Sequence, residues 1–151
     1  YYKSNKNMRK LVVIALTLLL ISCSVDNDSQ ITSYELASIT SHDLPDEFVL
    51  GKTYDVRVDF VFPSDCNNFQ ALDARRAGTT SEERSQIYIS VVTAVVENSS
   101  CTRDVIGASS STKFVVTIDE ERDYTFRFWK GQEGDEAIYE EVTVPVVMEQ
   151  L

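Results

Sequence analysis

Between Gly51 and Pro63 the chain runs Tyr54-Asp55-Val56-Arg57-Val58-Asp59-Phe60-Val61-Phe62. Tyr54, Val56, Val58, Phe60 and Phe62 fall on one face of an extended backbone, and Asp55, Arg57 and Asp59 on the other. The period is two, not the 3.6 of a helix, and it is what a half-buried antiparallel strand requires. Gly51 and Pro63 mark its ends. Similar runs cover 85–96, 112–118, 123–130 and 137–147, with shorter strands expected at 34–40 and 48–50. In the last long run Val142, Val144 and Val146 share a face. Pro145 interrupts it without an N–H to donate, so that strand is expected at an edge or in a bulge. No segment carries a sustained helical stripe. Six or seven short strands in about 120 residues point to an all-β fold, a single β-sandwich.

The N-terminal region has a different character. Lys3, Lys6, Arg9 and Lys10 precede an uncharged run of 11 residues, Leu11 to Ile21, with Met8 as the expected start. A basic region followed by a short apolar run is the pattern of a secretory signal peptide. A membrane-spanning helix needs about 20 residues, so this run is too short to remain as one. It ends in Leu20-Ile21-Ser22-Cys23, which resembles the lipobox of bacterial lipoproteins. The resemblance implies cleavage before Cys23, acylation of its sulfur and then of its new amino group. A secreted protein whose signal merely ends near a cysteine is the plainer alternative. Each buried CH₂ contributes about 0.8 kcal/mol, and two or more chains anchor stably. Ser24, rather than aspartate, after the cysteine resembles sorting to the outer membrane. Ser24-Val25-Asp26-Asn27-Asp28 is similar to the acidic tethers that direct some lipoproteins to the cell exterior. The expected organisation is therefore a cleaved signal over 1–22, a lipidated Cys23 with an acidic tether over 23–32, and one domain over 33–151.

Without residues 1–22 the remaining 129 residues suffice for one domain. They carry 10 lysines and arginines against 24 acids, a net charge near −14. Nucleic-acid binding rests on cations that displace counterions from phosphates, and this balance has the wrong sign for it. Anionic lipid headgroups are disfavoured for the same reason, while cationic partners are permitted. With Cys23 assigned to lipid by the resemblance, Cys66 and Cys101 remain. Outside the cytoplasm such a pair reads as a disulfide. There is no CxxC spacing and only one histidine, so no zinc set is indicated.

A bridge between Cys66 and Cys101 puts the midpoint of the intervening chain near Glu83–Arg84, inside the loop-like Gly78-Thr79-Thr80-Ser81-Glu82-Glu83-Arg84. A long hairpin with arms at 68–76 and 85–96, stapled at its base, is the expectation. A short helix over 80–85 is the competing one, because Thr80 and Glu83 have capping-box spacing.

The run Asp119-Glu120-Glu121-Arg122-Asp123-Tyr124-Thr125-Phe126 resembles the turn into strand F of immunoglobulin-like sandwiches, where a tyrosine hydrogen-bonds back to the loop. Tyr124 stands in that position. Phe126 occupies the place of the second cysteine of true immunoglobulin domains, so the resemblance is to the broad immunoglobulin-like superfold. It implies a single immunoglobulin-like antiparallel β-sandwich of about seven strands, with Tyr124 as a structural corner.

No set of residues for catalysis is apparent. Ser41-His42-Asp43 has the residue types of a hydrolase triad, but adjacent residues cannot converge as a triad must, and His42 reads as a turn residue. Paired carboxylates can serve glycosidic chemistry, yet 24 acids in one small chain create many accidental pairs. The five glycines are scattered, so no phosphate loop exists. Asp119, Glu120, Glu121 and Asp123, and again Glu133, Asp135 and Glu136, offer oxygens of the kind calcium takes, but neither group matches the calcium-loop pattern. They read as solvated turns, so no metal and no cofactor is assigned.

The most informative stretch for function is Tyr124-Thr125-Phe126-Arg127-Phe128-Trp129-Lys130-Gly131. Alternation places Tyr124, Phe126 and Phe128 in the core and turns Thr125, Arg127 and Trp129 outward. The only tryptophan then lies on the wet face, where indole and arginine are common recognition partners. Covering its own sheet or lying under a loop is the other expectation for Trp129. The resulting expectation is a non-catalytic binding or accessory module at the outer membrane or cell surface. Arg127 and Trp129 are its candidate binding residues, and an envelope protein or a glycan its partner. Inhibition of a cationic cell-wall hydrolase, towards which an acidic surface would steer, is the second expectation.

Overall fold

In the computed structural model, which describes residues 30–98 and 100–149, nine β-segments and one helical turn follow one another. They are β1 (Gln30–His42), β2 (Phe48–Val49), β3 (Thr53–Val61), β4 (Asn67–Arg76), α1 (Ser81–Arg84), β5 (Gln86–Glu97), β6 (Ser109–Thr117), β7 (Tyr124–Glu133), β8 (Glu136–Val144) and β9 (Val146–Val147). The fold is a β-sandwich. One layer contains β4, β5, β7 and β8, and the other contains β6 and β3. β1 belongs to both: its first part pairs with β5 from Gln30 to Ala37, and its second with β3 from Ser38 to His42. Irregularities at Ile31/Ser33 and Ile39/Ser41 accompany the passage, as bulges do where a strand bends between sheets.

β3 behaves as its alternation requires. Val56, Val58 and Phe60 are buried, with Tyr54 and Phe62 packed against the same core. Ile87, Ile89 and Val91 of β5, Phe114 and Val116 of β6, and Tyr124, Phe126 and Phe128 of β7 complete the contact between layers. Burying an aliphatic or phenylalanine side chain contributes about 1.5–3 kcal/mol, so this two-sided cluster is the main source of stability.

The antiparallel expectation holds for five ladders and fails for two. β5 and β7 run parallel, as do the short β2 and β9. The cause lies in the course of the chain. β1 leaves the edge of β5 after Ala37, freeing that edge beside Gln86–Ile89. β6, in the facing layer, carries the chain back, so β7 starts at the same end as β5 and fills the vacated edge in the same direction. Thr125 N–H donates to the Ser85 carbonyl at 2.9 Å where the two begin.

The strand near the N-terminus starts earlier than expected. Gln30, Ile31 and Thr32, assigned to the tether, already belong to β1, with Gln30 opposite Glu97. His42 ends this strand instead of sitting in a turn. The signal segment and Cys23 lie outside the described residues. Among those that are described, no helix is long and apolar enough to cross a membrane.

The hairpin and the helix, posed as competitors, are both present. β4 and β5 pair antiparallel from Asn67↔Val95 to Arg76↔Ile87, and α1 forms the connection. Thr80 accepts from Glu83 N–H while the Glu83 carboxylate accepts from Thr80 N–H, a reciprocal cap. Cys66 and Cys101 are bridged at the base, with Cα atoms 5.1 Å apart. Pro145 ends β8, an edge strand, and its carbonyl accepts from Phe48 N–H at 2.8 Å to start the β2–β9 pair.

Candidate functional site

The outer face of the β4–β5–β7–β8 layer carries the residues singled out by alternation. In β7, Tyr124, Phe126 and Phe128 are buried, while Thr125, Arg127 and Trp129 are half-buried on the opposite side. Cross-strand register continues that face: Arg127 is opposite Glu141 and Trp129 opposite Tyr139 on β8, and Tyr88 of β5 is opposite Arg127.

Arg127 and Trp129 nevertheless do different things. Arg127 is held within the sheet. Its Nε donates to Glu141 Oε1 at 2.9 Å, its Nη1 donates to Gln86 Oε1 at 2.8 Å, and its guanidinium lies 5.2 Å from the centre of the Tyr88 ring. The Glu141 hydrogen bond raises its already high pKa further, so it stays charged and engaged. Tyr88 and Tyr139 meet edge-to-face at 5.4 Å, beside a hollow of about 320 Å³ bordered by Arg75, Arg76 and Ala77.

Trp129 instead opens onto a groove of about 470 Å³, which it lines with Tyr34, Glu35, Leu36, Pro63, Val92 and Gln132. The groove forms because β1 changes layers here: Ser38 Oγ donates to the Lys130 carbonyl at 2.7 Å, tying β1 to the end of β7. Tyr34 is 60% exposed, so one aromatic wall is free in solvent and the other, Trp129, is partly supported by the sheet. The volume lies within the range of about 300–1,000 Å³ typical of small-ligand sites.

Glu35 is fixed from below. Arg103 Nη2 donates to Oε1 at 2.5 Å, and Asn67 Nδ2 donates to Oε2 at 3.0 Å. These hydrogen bonds, the Arg103 one foremost, hold its carboxyl below the usual glutamate pKa. Asn67 is itself buried and bonded to Ser64 and Thr93. Arg103 sits two residues past Cys101, in a loop laid against 62–65: Asp65 N–H donates to Val105 O, and Gly107 N–H to Phe62 O. A Cβ on Gly107 would lie 2.6 Å from the Phe62 side chain, so the close approach needs glycine. The disulfide thus holds the loop that orients Glu35.

Tyr124 is fully buried, and its Oη accepts from the N–H groups of Asp119 and Glu120 at 3.0 and 3.1 Å while donating to Asp119 Oδ1 at 2.9 Å. Burial raises its pKa. Two acids of this turn are occupied by arginines. Asp119 pairs with Arg76 and Arg84, and Glu120 with Arg84 and Ser81. Burial pushes the Asp119 pKa up, but hydrogen bonds from Arg76 and Tyr124 with the field of both arginines bring it below normal. Among the described residues no three metal-ligating side chains converge.

Ser41, His42 and Asp43 do not form a catalytic set. Ser41 Oγ donates to Asp59 at 2.6 Å, away from the histidine. The imidazole stacks on Phe128 at 4.6 Å, and its Nδ1 accepts from Leu44 N–H at 3.4 Å. Asp43 accepts from Arg57 N–H at 2.6 Å.

Alternation along β7 puts Trp129 on the outer face, as observed, but gives no sign of the residues that line the groove with it. Gly134-Asp135, flanked by extended runs, is a hairpin signal, but its register alone puts Arg127 opposite Val142 and Trp129 opposite Glu140; an irregularity between Trp129 and Gly131 shifts the ladder by one and brings Glu141 and Tyr139 opposite them. Tyr34 and Glu35 had no local signal, because their approach to Trp129 depends on β1 changing layers. Compared with known proteins, the chain matches no family model, no curated protein and no solved structure.

Proposed function

We propose that this chain is a bacterial outer-membrane lipoprotein whose sandwich serves as a non-catalytic binding or accessory module at the membrane or cell surface. The observation that carries the binding role is the Trp129 groove, which a half-buried indole and an exposed tyrosine line together with Leu36, Val92 and Pro63. Aromatic side chains supply much of the energy at recognition sites because they bury large area with few rotatable bonds. The anchor rests on the lipobox-like Leu20-Ile21-Ser22-Cys23 and the basic, apolar segment before it. A non-catalytic role agrees with Ser41 and His42 being bonded to different partners and with Asp119 and Glu120 being occupied by arginines.

Two measurements test this reading. Mass spectrometry of the native protein is expected to find an acylated Cys23 at the mature N-terminus, and a bare thiol there would remove the anchor. Screening a glycan array and capturing purified envelope proteins is expected to give binding that Trp129→Ala abolishes. Binding indifferent to that change would place recognition elsewhere. The net charge near −14 of residues 23–151 favours one second reading, inhibition of a cationic cell-wall hydrolase. Stoichiometric inhibition in a lysozyme assay would establish it.

A further inference from the structure

We propose that the Trp129 groove is a subsite for one neutral sugar ring of an extended glycan, and that Tyr139 and Tyr88 continue its path. The assignment rests on the binding-module reading and names its ligand class. Two features of the groove define the class. Trp129 and Tyr34 line the groove with flat aromatic rings, together with the apolar Leu36, Val92 and Pro63. The C–H face of a pyranose ring packs on such surfaces, while its rim of hydroxyls needs hydrogen-bonding groups at the edge.

Gln132 supplies such groups, and the bonds of Glu35 decide the ligand's charge. The Glu35 charge is matched by Arg103: Oε1 accepts from Nη2, and Oε2 accepts both from Asn67 and from Arg103 Nη1 at 3.3 Å. Glu35 is opposite the fully buried Thr93 and alternates with Tyr34 and Leu36 along β1, so its carboxylate brings no uncompensated charge to the groove. Gln132 Nε2 spends one N–H on the Gly134 carbonyl at 2.8 Å, leaving its other N–H and its oxygen. The residues that line the groove with Trp129 therefore offer no unmatched charge of either sign. A neutral, hydroxyl-rich ring fits this balance better than a charged group of either sign.

The path beyond the groove sets the ligand's length. Trp129 and Tyr139 are direct partners across β7 and β8, and Tyr139 meets Tyr88 beside the second hollow on the same face. Directly opposed residues lie about 4.5–5.5 Å apart at Cβ, so the aromatic line is continuous from Trp129 to Tyr139. One ring fills the first groove, and further rings of the same chain reach the tyrosines.

The single tryptophan makes the test direct, since indole emission reports this groove alone. The mature protein is titrated with neutral cello-, manno-, xylo- and chito-oligosaccharides of one to six units. Saturable change in emission is expected with at least one series, tightening about tenfold or more with length and insensitive to added salt. Tyr34→Ala is expected to weaken that binding about tenfold without changing the melting temperature, because Tyr34 is an exposed side chain. Silence from every neutral series overturns the sugar assignment. If lysozyme, a cationic protein, is retained by the immobilised protein while no sugar moves the emission, the sugar assignment fails and the binding-module reading survives. If no sugar moves the emission, lysozyme is not retained, and Trp129→Ala leaves envelope capture unchanged, both fail.

Discussion

Replacing Tyr124 by phenylalanine removes one oxygen and leaves the ring, which isolates the hydrogen bonds of the corner from its packing. That ring lies 6.0 Å from Phe48 and 6.4 Å from Phe126, and both contacts survive. The oxygen makes three bonds, accepting from Asp119 and Glu120 N–H and donating to the Asp119 carboxylate. Each neutral bond contributes about 0.5–1.5 kcal/mol net, and stranding its buried partner costs toward the upper end. Asp119 retains Arg76 at 2.7 Å and is 35% exposed, so water replaces the third bond at small cost. The sum is about 2–3 kcal/mol. At roughly 3–5 °C per kcal/mol for a domain of this size, the melting temperature falls by about 6–15 °C. Tyr54→Phe is the internal control, since Tyr54 Oη accepts only from Val49 N–H at 2.9 Å. It is expected to cost about 1 kcal/mol. Urea titrations of the three proteins, fitted with a common slope, give the differences. A Tyr124→Phe loss no larger than that of Tyr54→Phe would refute the reasoning.

Two further outcomes concern the same frame. Replacing Cys66 and Cys101 by alanine opens a closed segment with a sequence separation of 35, which in the chain-entropy model costs about 4 kcal/mol. A midpoint shift in urea worth less than about 1 kcal/mol would contradict it. The carboxyls of Glu35 and Asp119 have folded-state pKa values below their unfolded ones. Their contribution to stability is therefore complete above the ordinary carboxylate range and is lost as pH falls through the lowered values. Unfolding midpoints are expected to decline from about pH 5 to about pH 3, and Glu35→Gln to make that decline shallower. A Glu35→Gln profile parallel to the wild type would show that Arg103 and Asn67 do not lower the Glu35 pKa.

What the sequence makes legible is whatever depends on neighbours along the chain. The alternation from Tyr54 to Phe62 announces β3 and its buried face, because side-chain direction in a strand is set locally. The same rule puts Trp129 and Arg127 outside and Phe126 and Phe128 inside. The cysteine spacing locates the hairpin, and Thr80 with Glu83 locates the helical turn within it. Pro145 announces the break between β8 and β9. The division of β1 between two layers is not legible in this way. It depends on bulges whose energy is decided by what the strand meets on each side. The parallel pairing of β5 with β7 follows from that division and is hidden with it.

The site shows the same limit. Trp129 was visible from its own strand. Arg127, the other candidate on that face, is engaged by Glu141 and Gln86. The residues that do face Trp129 come from β1 and from the segment after β3, and Glu35 is oriented by a loop near the disulfide. Such convergence of distant segments has no signature in any one of them.

The proposed binding module recognises its ligand at the Trp129 groove. The most direct measurement is a ¹H–¹⁵N NMR titration with the tightest member of the neutral oligosaccharide panel, following the single indole Nε1–H resonance. This resonance and the amides of Tyr34, Glu35 and Gln132 are expected to shift together and saturate, while amides of β3 and β6 stay still. Saturable shifts gathered on β3 and β6, with the indole unmoved, would contradict it.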